Sequence, residues 1–199
     1  MIAPLAGLAL LFTSPSVLAA QEADELEDAE IDAIALPEAQ FRQMLLMATM
    51  RTIPVSRSLA TSGITAHCAR FAPIFDKTIA ANLPQWSANL REAYHAHVPQ
   101  AELQRAVEAG TVAGAVIIAP YLEQIGGQMQ EESMPLLHSS AAAMLEELFE
   151  ATPDTPVEEI DMEARTAEIE AGIADGSVFC GLIPSRDSIL TASPAGREG

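Results

Sequence analysis

Basic residues are scarce in this 199-residue chain: ten Lys and Arg stand against 28 Asp and Glu, for a formal net charge of −18. Binding to nucleic acid or anionic lipid draws on clustered Lys and Arg that release counterions, so neither is an expected partner. Long hydrophobic runs are lacking too. Beyond the first nineteen residues no stretch reaches the roughly 18 uninterrupted apolar residues of a bilayer span. The best candidate, residues 112–119, stops at Pro120 and reads as a core helix in the middle of a bundle. No alternating strand pattern recurs and no internal repeat is present. Motifs of nucleophilic catalysis and phosphate binding are missing as well: there is no Gly-x-Ser-x-Gly elbow, no Ser-x-x-Lys pair and no glycine-rich phosphate loop.

Charge is also absent from residues 1–19, MIAPLAGLALLFTSPSVLA, whose run from Leu5 to Phe12 is apolar apart from Gly7. Ser14-Pro15-Ser16 breaks that run, and Val17-Leu18-Ala19 has the small-residue pattern a signal peptidase reads. A signal peptide cleaved after Ala19 is expected, although the usual positively charged leader is missing. The alternative is an ordinary buried N-terminal helix. Export would place the mature chain, with no membrane span, in the periplasm of a bacterial envelope. There, two cysteines, Cys68 and Cys180, are expected to form a disulfide rather than remain two independent buried thiols. The loop closed would exceed 100 residues, which on chain entropy stabilises a fold by up to about 4 to 5 kcal/mol.

The charge that is present is unevenly placed. Residues 20–41 hold eight acids and no base, residues 42–105 seven bases and three acids, and residues 106–170 fourteen acids and only Arg165 as a base. A basic centre therefore lies between acidic flanks. It could meet the acidic half of the same chain or of a second copy, or both could be solvated faces.

Residues 20–36, acidic and without aromatics, read as a disordered or loosely helical lead-in. The expected fold after it is all-α: one bundle-like domain of about six or seven helices over residues 37–183, with a flexible tail at 184–199. Pro37 and Glu38 suit a helix start, with Phe41, Met44, Leu45 and Ala48 inward until Pro54. Ser62-Gly63 marks a break and Pro73 a start or kink. Asn82-Leu83-Pro84-Gln85 opens a helix on which Trp86, Leu90 and Tyr94 share a buried face. Leu103, Ala106 and Val107 face inward up to Gly110. Pro120 and Gly126-Gly127 predict a bend and an ending, and Pro135 separates off a helix over 136–151. Thr155, Pro156 and Glu158 form a capping box for a last helix, whose inward row is Val157, Ile160, Ala164, Ala167 and Ala171. Residues 178–183 are short and apolar, a strand or a helical turn docked through Cys180.

Candidates for chemistry are few. His95 and His97 are two apart, about 200° around a helix, so they cannot share one ion from that helix, while His67 and His138 are isolated. All four read as surface or satisfied-core residues. Met44, Met47 and Met50, three apart, keep their thioethers within about 60° on a helix, and soft sulfur ligands select Cu(I). Their mostly apolar neighbours favour core packing instead. No catalytic residue and no cofactor are expected. The carboxylate pairs Glu131-Glu132, Glu146-Glu147 and Glu158-Glu159 read as solvated faces.

One stretch carries a family likeness. In residues 90–137, LREAYHAHVPQAELQRAVEAGTVAGAVIIAPYLEQIGGQMQEESMPLL, the positions Tyr94, Glu102-Leu103, Thr111 and Gly114 fit the frame of an exported helical family, domain of unknown function 2059, which this segment resembles. Glu108-Ala109 stand where that family has an aromatic pair, and Val112 where it has proline. The resemblance implies export and a helical fold, and transfers no catalytic residue.

The resulting expectation is a non-enzymatic periplasmic helical protein that acts by binding an envelope protein or itself. The alternative is an envelope copper carrier, or a hydrolytic enzyme whose site is assembled from scattered residues. A pocket gathered around the histidines would favour that alternative, and a filled core with an exposed apolar groove would favour partner binding.

Overall fold

The computed structural model describes residues 26–182. The expected signal peptide at 1–19 and tail at 184–199 lie outside them. Among the described residues the chain is all-helical, with no strand. Within the expected domain five α-helices replace the six or seven anticipated: α2 (Pro37–Met50), α3 (Ile53–His97), α4 (Gln100–Ile118), α5 (Leu122–Ala151) and α6 (Met162–Asp175). A further helix, α1 (Asp28–Ala35), precedes them. The acidic lead-in is therefore ordered over 28–35, because Ile31, Ile34 and Ala35 sit in the core and Arg91 of α3 holds Asp28 at 2.7 Å.

The helix count falls because three prolines read as helix boundaries lie inside continuous helices: Pro73, a start or kink, and Pro84, a start, in α3, and Pro135, a separator, in α5. A mid-helix proline removes one N–H and leaves the carbonyl four residues earlier without a partner. Here each proline and the residue four before it (Ala69, Ala80, Glu131) are exposed, so water is at hand for the freed carbonyl. Gly126-Gly127 likewise fails to end a helix. The two real discontinuities are at glycines with left-handed backbone, Gly63 (φ 76°) in α3 and Gly110 (φ 76°) in α4, and Pro120 lies in a short 3₁₀ turn, Ala119–Tyr121.

The long helices α3 and α5 pack antiparallel. Their partners run in opposite directions along the chain: Lys77 Nζ with Glu147 at 2.9 Å, then Asn89 Nδ2 donating to Ser133 Oγ at 2.9 Å. The buried stripe of α5, from Ile125 through Met129, Leu137, Met144 and Leu148, keeps helical period against Phe71, Phe75, Ile79 and Leu90 of α3. Helix α2 lies against both through Phe41, Leu45 and Leu46, and α1 rests on α3 and α4.

Two helix faces differ from expectation. Residues 112–119 do not occupy the middle of the bundle: Val112 is 75% and Val116 73% exposed, because α4 packs past Gly110 only through Gly114 and Ile118. By length and composition one helical run, Gln100–Ala151, is long and apolar enough to cross a membrane, and its apolar window is mostly exposed. The run is not one straight rod, since Gly110 and the 3₁₀ turn at Pro120 interrupt it.

The last helix starts later than its capping box suggested. Residues Val157–Glu159 form a 3₁₀ turn, and Asp161 caps α6 by accepting the Ala164 N–H at 3.0 Å. Its packed face is Arg165, Glu168, Ile169 and Gly172 instead of the alanine row, with Gly172 the one fully buried member. A Cβ at Gly172 would strike the Ile64 side chain, and one at Gly63 would strike the Arg165 guanidinium, so both glycines permit close approach of α6 to α3. The segment after α6 is a 3₁₀ turn, Ser177–Phe179, docked as expected by a disulfide between Cys68 and Cys180 with Cα atoms 5.1 Å apart.

Candidate functional site

The basic centre does meet acidic flanks of the same chain. Arg57 pairs with Asp154 at 3.0 Å, Lys77 with Glu147 at 2.9 Å and Arg91 with Asp28, while Arg42 pairs within the centre itself, with Asp76 at 2.6 Å. These pairs are surface contacts, individually small in energy. They use up much of the chain's positive charge and leave acids in excess on α5 and α6.

The histidines are scattered. His95 and His138 are exposed, and His97 is half-buried. His67 is fully buried, stacked on Phe71 at 5.0 Å between ring centres, with Nδ1 3.0 Å from Ser58 Oγ and no partner for Nε2. Burial of the ring, with the Arg70 charge adding to it, lowers its pKa to about 4, so it is neutral at pH 7. A Ser–His contact of this length could activate a nucleophile. Ser58 is fully buried too, so no substrate reaches its hydroxyl and the pair serves the core.

The methionine row on α2 also differs from the core-packing expectation. Buried positions on α2 are Phe41, Leu45, Leu46 and Thr49, which leaves Met44 43% and Met47 65% exposed and Met50 half-buried. Four-residue steps from Phe41 set the inward face, and the three-residue methionine steps drift off it.

Met44 instead lines the principal groove, an open cleft of about 430 Å³ between α2, α3 and α5. Its floor comes from α3, where Trp86, Leu90 and Tyr94 at four-residue steps share one face as expected. Phe41 stacks on Trp86 with ring centres 4.9 Å apart, fixing the indole from the α2 side. The α5 wall contributes Leu122, Ile125 and Gly126, then Met129 and Met134, and Gln40 and Gln130 are the polar members. The Ser133 hydroxyl, which receives the Asn89 amide, donates to Met129 Sδ at 3.6 Å and so ties that wall to α3.

Three properties define what this groove can do. No lining side chain is charged. Three thioethers from two helices line it, and methionine repacks readily around varied apolar shapes. Finally, the Trp86 indole N–H is buried and has no acceptor, and desolvation raises the Tyr94 pKa, keeping that phenol neutral. The site was partly legible: the 86, 90, 94 row pointed to a buried face, whereas the α5 wall was obscured by reading Gly126-Gly127 as an ending.

A second crevice, between α6 and α3, is polar, with Thr61, Asp161, Arg165 and Glu168 in its walls. Among the described residues no three His, Cys, Asp or Glu side chains converge as metal ligands. Comparison with protein-family models, with curated proteins and with solved structures finds no match to this chain.

Proposed function

We propose that this chain is an exported, periplasmic, non-enzymatic protein that acts by binding a polypeptide partner through the groove between α2, α3 and α5. The observation that carries this reading is the groove itself: an open, uncharged, methionine-lined cleft of about 430 Å³ beside the apolar core. The uncharged opening residues, the Cys68–Cys180 disulfide and the resemblance of residues 90–137 to an exported helical family support the placement. In this reading Gln100–Ala151 packs on its neighbours, α4 on α1 and α5 on α3, and does not span a bilayer.

A photo-crosslinking amino acid in place of Gln130, at the groove edge, tests it in intact cells. Discrete protein adducts that disappear when Gly126→Phe fills the groove are expected. Adducts unchanged by Gly126→Phe, or none from Gln130 while a surface position away from the groove gives them, would refute it. Fractionation that leaves an uncleaved protein in the cytoplasm would refute the placement.

One observation favours a second reading. Met44, Met129 and Met134 line the same groove, and thioethers are ligands for Cu(I). Copper carriage would then use these three in place of Met44, Met47 and Met50. Titration of the oxidised protein with Cu(I) under competition from a chelator decides it: no binding dismisses copper carriage.

A further inference from the structure

The chemistry of the groove narrows what can lie in it. The walls are helices whose backbone groups bond along the helix, apart from the Gly63 break and the single carbonyls freed by prolines, so they offer no strand edge to an incoming chain. An extended segment would bury its own N–H and C=O groups against Leu, Ile and Met with few partners, whereas a helix satisfies its backbone before it docks. The groove length agrees. Leu122 and Met134 are twelve steps apart along α5, or about 18 Å of helix, which matches three turns of a docked helix.

Charge selects the flanks of that helix. Glu123 and Glu131, exposed and next in sequence to the lining residues Leu122 and Gln130, make no ion pair among the described residues, and the whole chain carries −18. A second copy would bring a further −18 to the same place. A basic partner is attracted, and an acidic one is repelled.

From these features we infer that the groove between α2, α3 and α5 receives an amphipathic basic helix of a partner protein, its apolar face seated in the cleft. The inference rests on the groove being the binding site and names the occupant. Lys or Arg on the helix flanks face Glu123 and Glu131. The apolar side chains pack between Met44, Met129 and Met134, which adjust to their shape.

Trp86 is the one tryptophan of the chain and lies in the groove, so its fluorescence reports occupancy. The probe is a synthetic amphipathic peptide of about 18 residues, roughly five turns, with Leu on one face and Lys on the other. A matched peptide carries Glu for every Lys. Titrated into the oxidised full chain, the Lys peptide is expected to saturate one site and to bind at least about ten-fold tighter than the Glu peptide, the margin shrinking with salt. Gly126→Phe, whose new side chain meets nothing within 4 Å of its Cβ, and Met44→Lys, at an exposed position, each abolish binding while the helical spectrum is retained.

Equal affinity for the Lys and Glu peptides overturns the inference, as does binding that survives both variants. Saturable uptake of a neutral apolar dye with no peptide binding would make the groove a small-molecule site. Dimerisation abolished by Gly126→Phe would make a second copy the occupant. Groove-dependent crosslinks in cells without peptide discrimination would overturn this inference alone and leave the groove as the binding site.

Discussion

The Glu168 carboxylate of α6 accepts the backbone N–H of Ile64 in α3 at 2.8 Å, directly after the left-handed Gly63. The break at Gly63 starts a new helical segment with unpaired amides, and a side chain from a different helix, 104 residues on, caps it. Arg165, one turn earlier on α6, bonds the same carboxylate.

Glu168→Ala is accordingly expected to destabilise the protein by about 1 to 2 kcal/mol, the range for losing a helix cap. Glu168→Gln, which keeps an acceptor oxygen, is expected to cost less. Urea unfolding of the oxidised protein measures both. Equal losses for the two variants would show that the carboxylate charge, and not the cap, is what matters.

Helix α6 buries only Gly172 fully, and Cys68–Cys180 ties the turn that follows it to α3. Reduction, or Cys68→Ser with Cys180→Ser, is expected to lower stability by up to about 4 to 5 kcal/mol from the long loop. Amide exchange in residues 162–175 should accelerate first, under conditions where α3 and α5 remain protected. Uniform acceleration across all helices would contradict a locally fastened α6.

His67 gives the fold a pH dependence whose direction follows from its lowered pKa. The unfolded chain binds a proton near pH 6.5 and the folded protein only near 4. Above about 6.5 both states are neutral and the residue adds no slope. Between 6.5 and 4 the unfolded state binds more protons, so stability falls with pH by about 3 kcal/mol in all. Carboxylates titrate at the lower end of this window, so the difference between wild type and His67→Gln isolates the effect. Parallel stability curves for the two proteins over pH 7 to 4 would rule it out.

The corrected face of α2 is open to a direct comparison. Leu45, fully buried, should cost about 2 to 5 kcal/mol when replaced by alanine. Met47→Gln, at an exposed position, should stay within about 0.5 kcal/mol of wild type. Thermal unfolding of the two variants, side by side, checks this.

Much of the site was legible because helical periodicity survives in sequence: Trp86, Leu90 and Tyr94 recur every four residues and do share a face. Met44 was assigned to the core because hydropathy does not distinguish an inward methionine from one at the lip of a groove. Pro73, Pro84 and Pro135 read as helix boundaries because local rules count a missing hydrogen bond without knowing whether water can replace it.

The sequence by itself determined the helical class, the net acidity, the cysteine pair and the breaks at Gly63 and Gly110, since each follows from local stereochemistry or composition. Tertiary structure alone decided which faces turn inward. That Gly172 meets Ile64, that Glu168 caps Ile64 and that Met44, Met129 and Met134 line one cleft are contacts between residues far apart in the chain. No local pattern encodes them, because the free energy of a contact depends on the partner that packing brings to it.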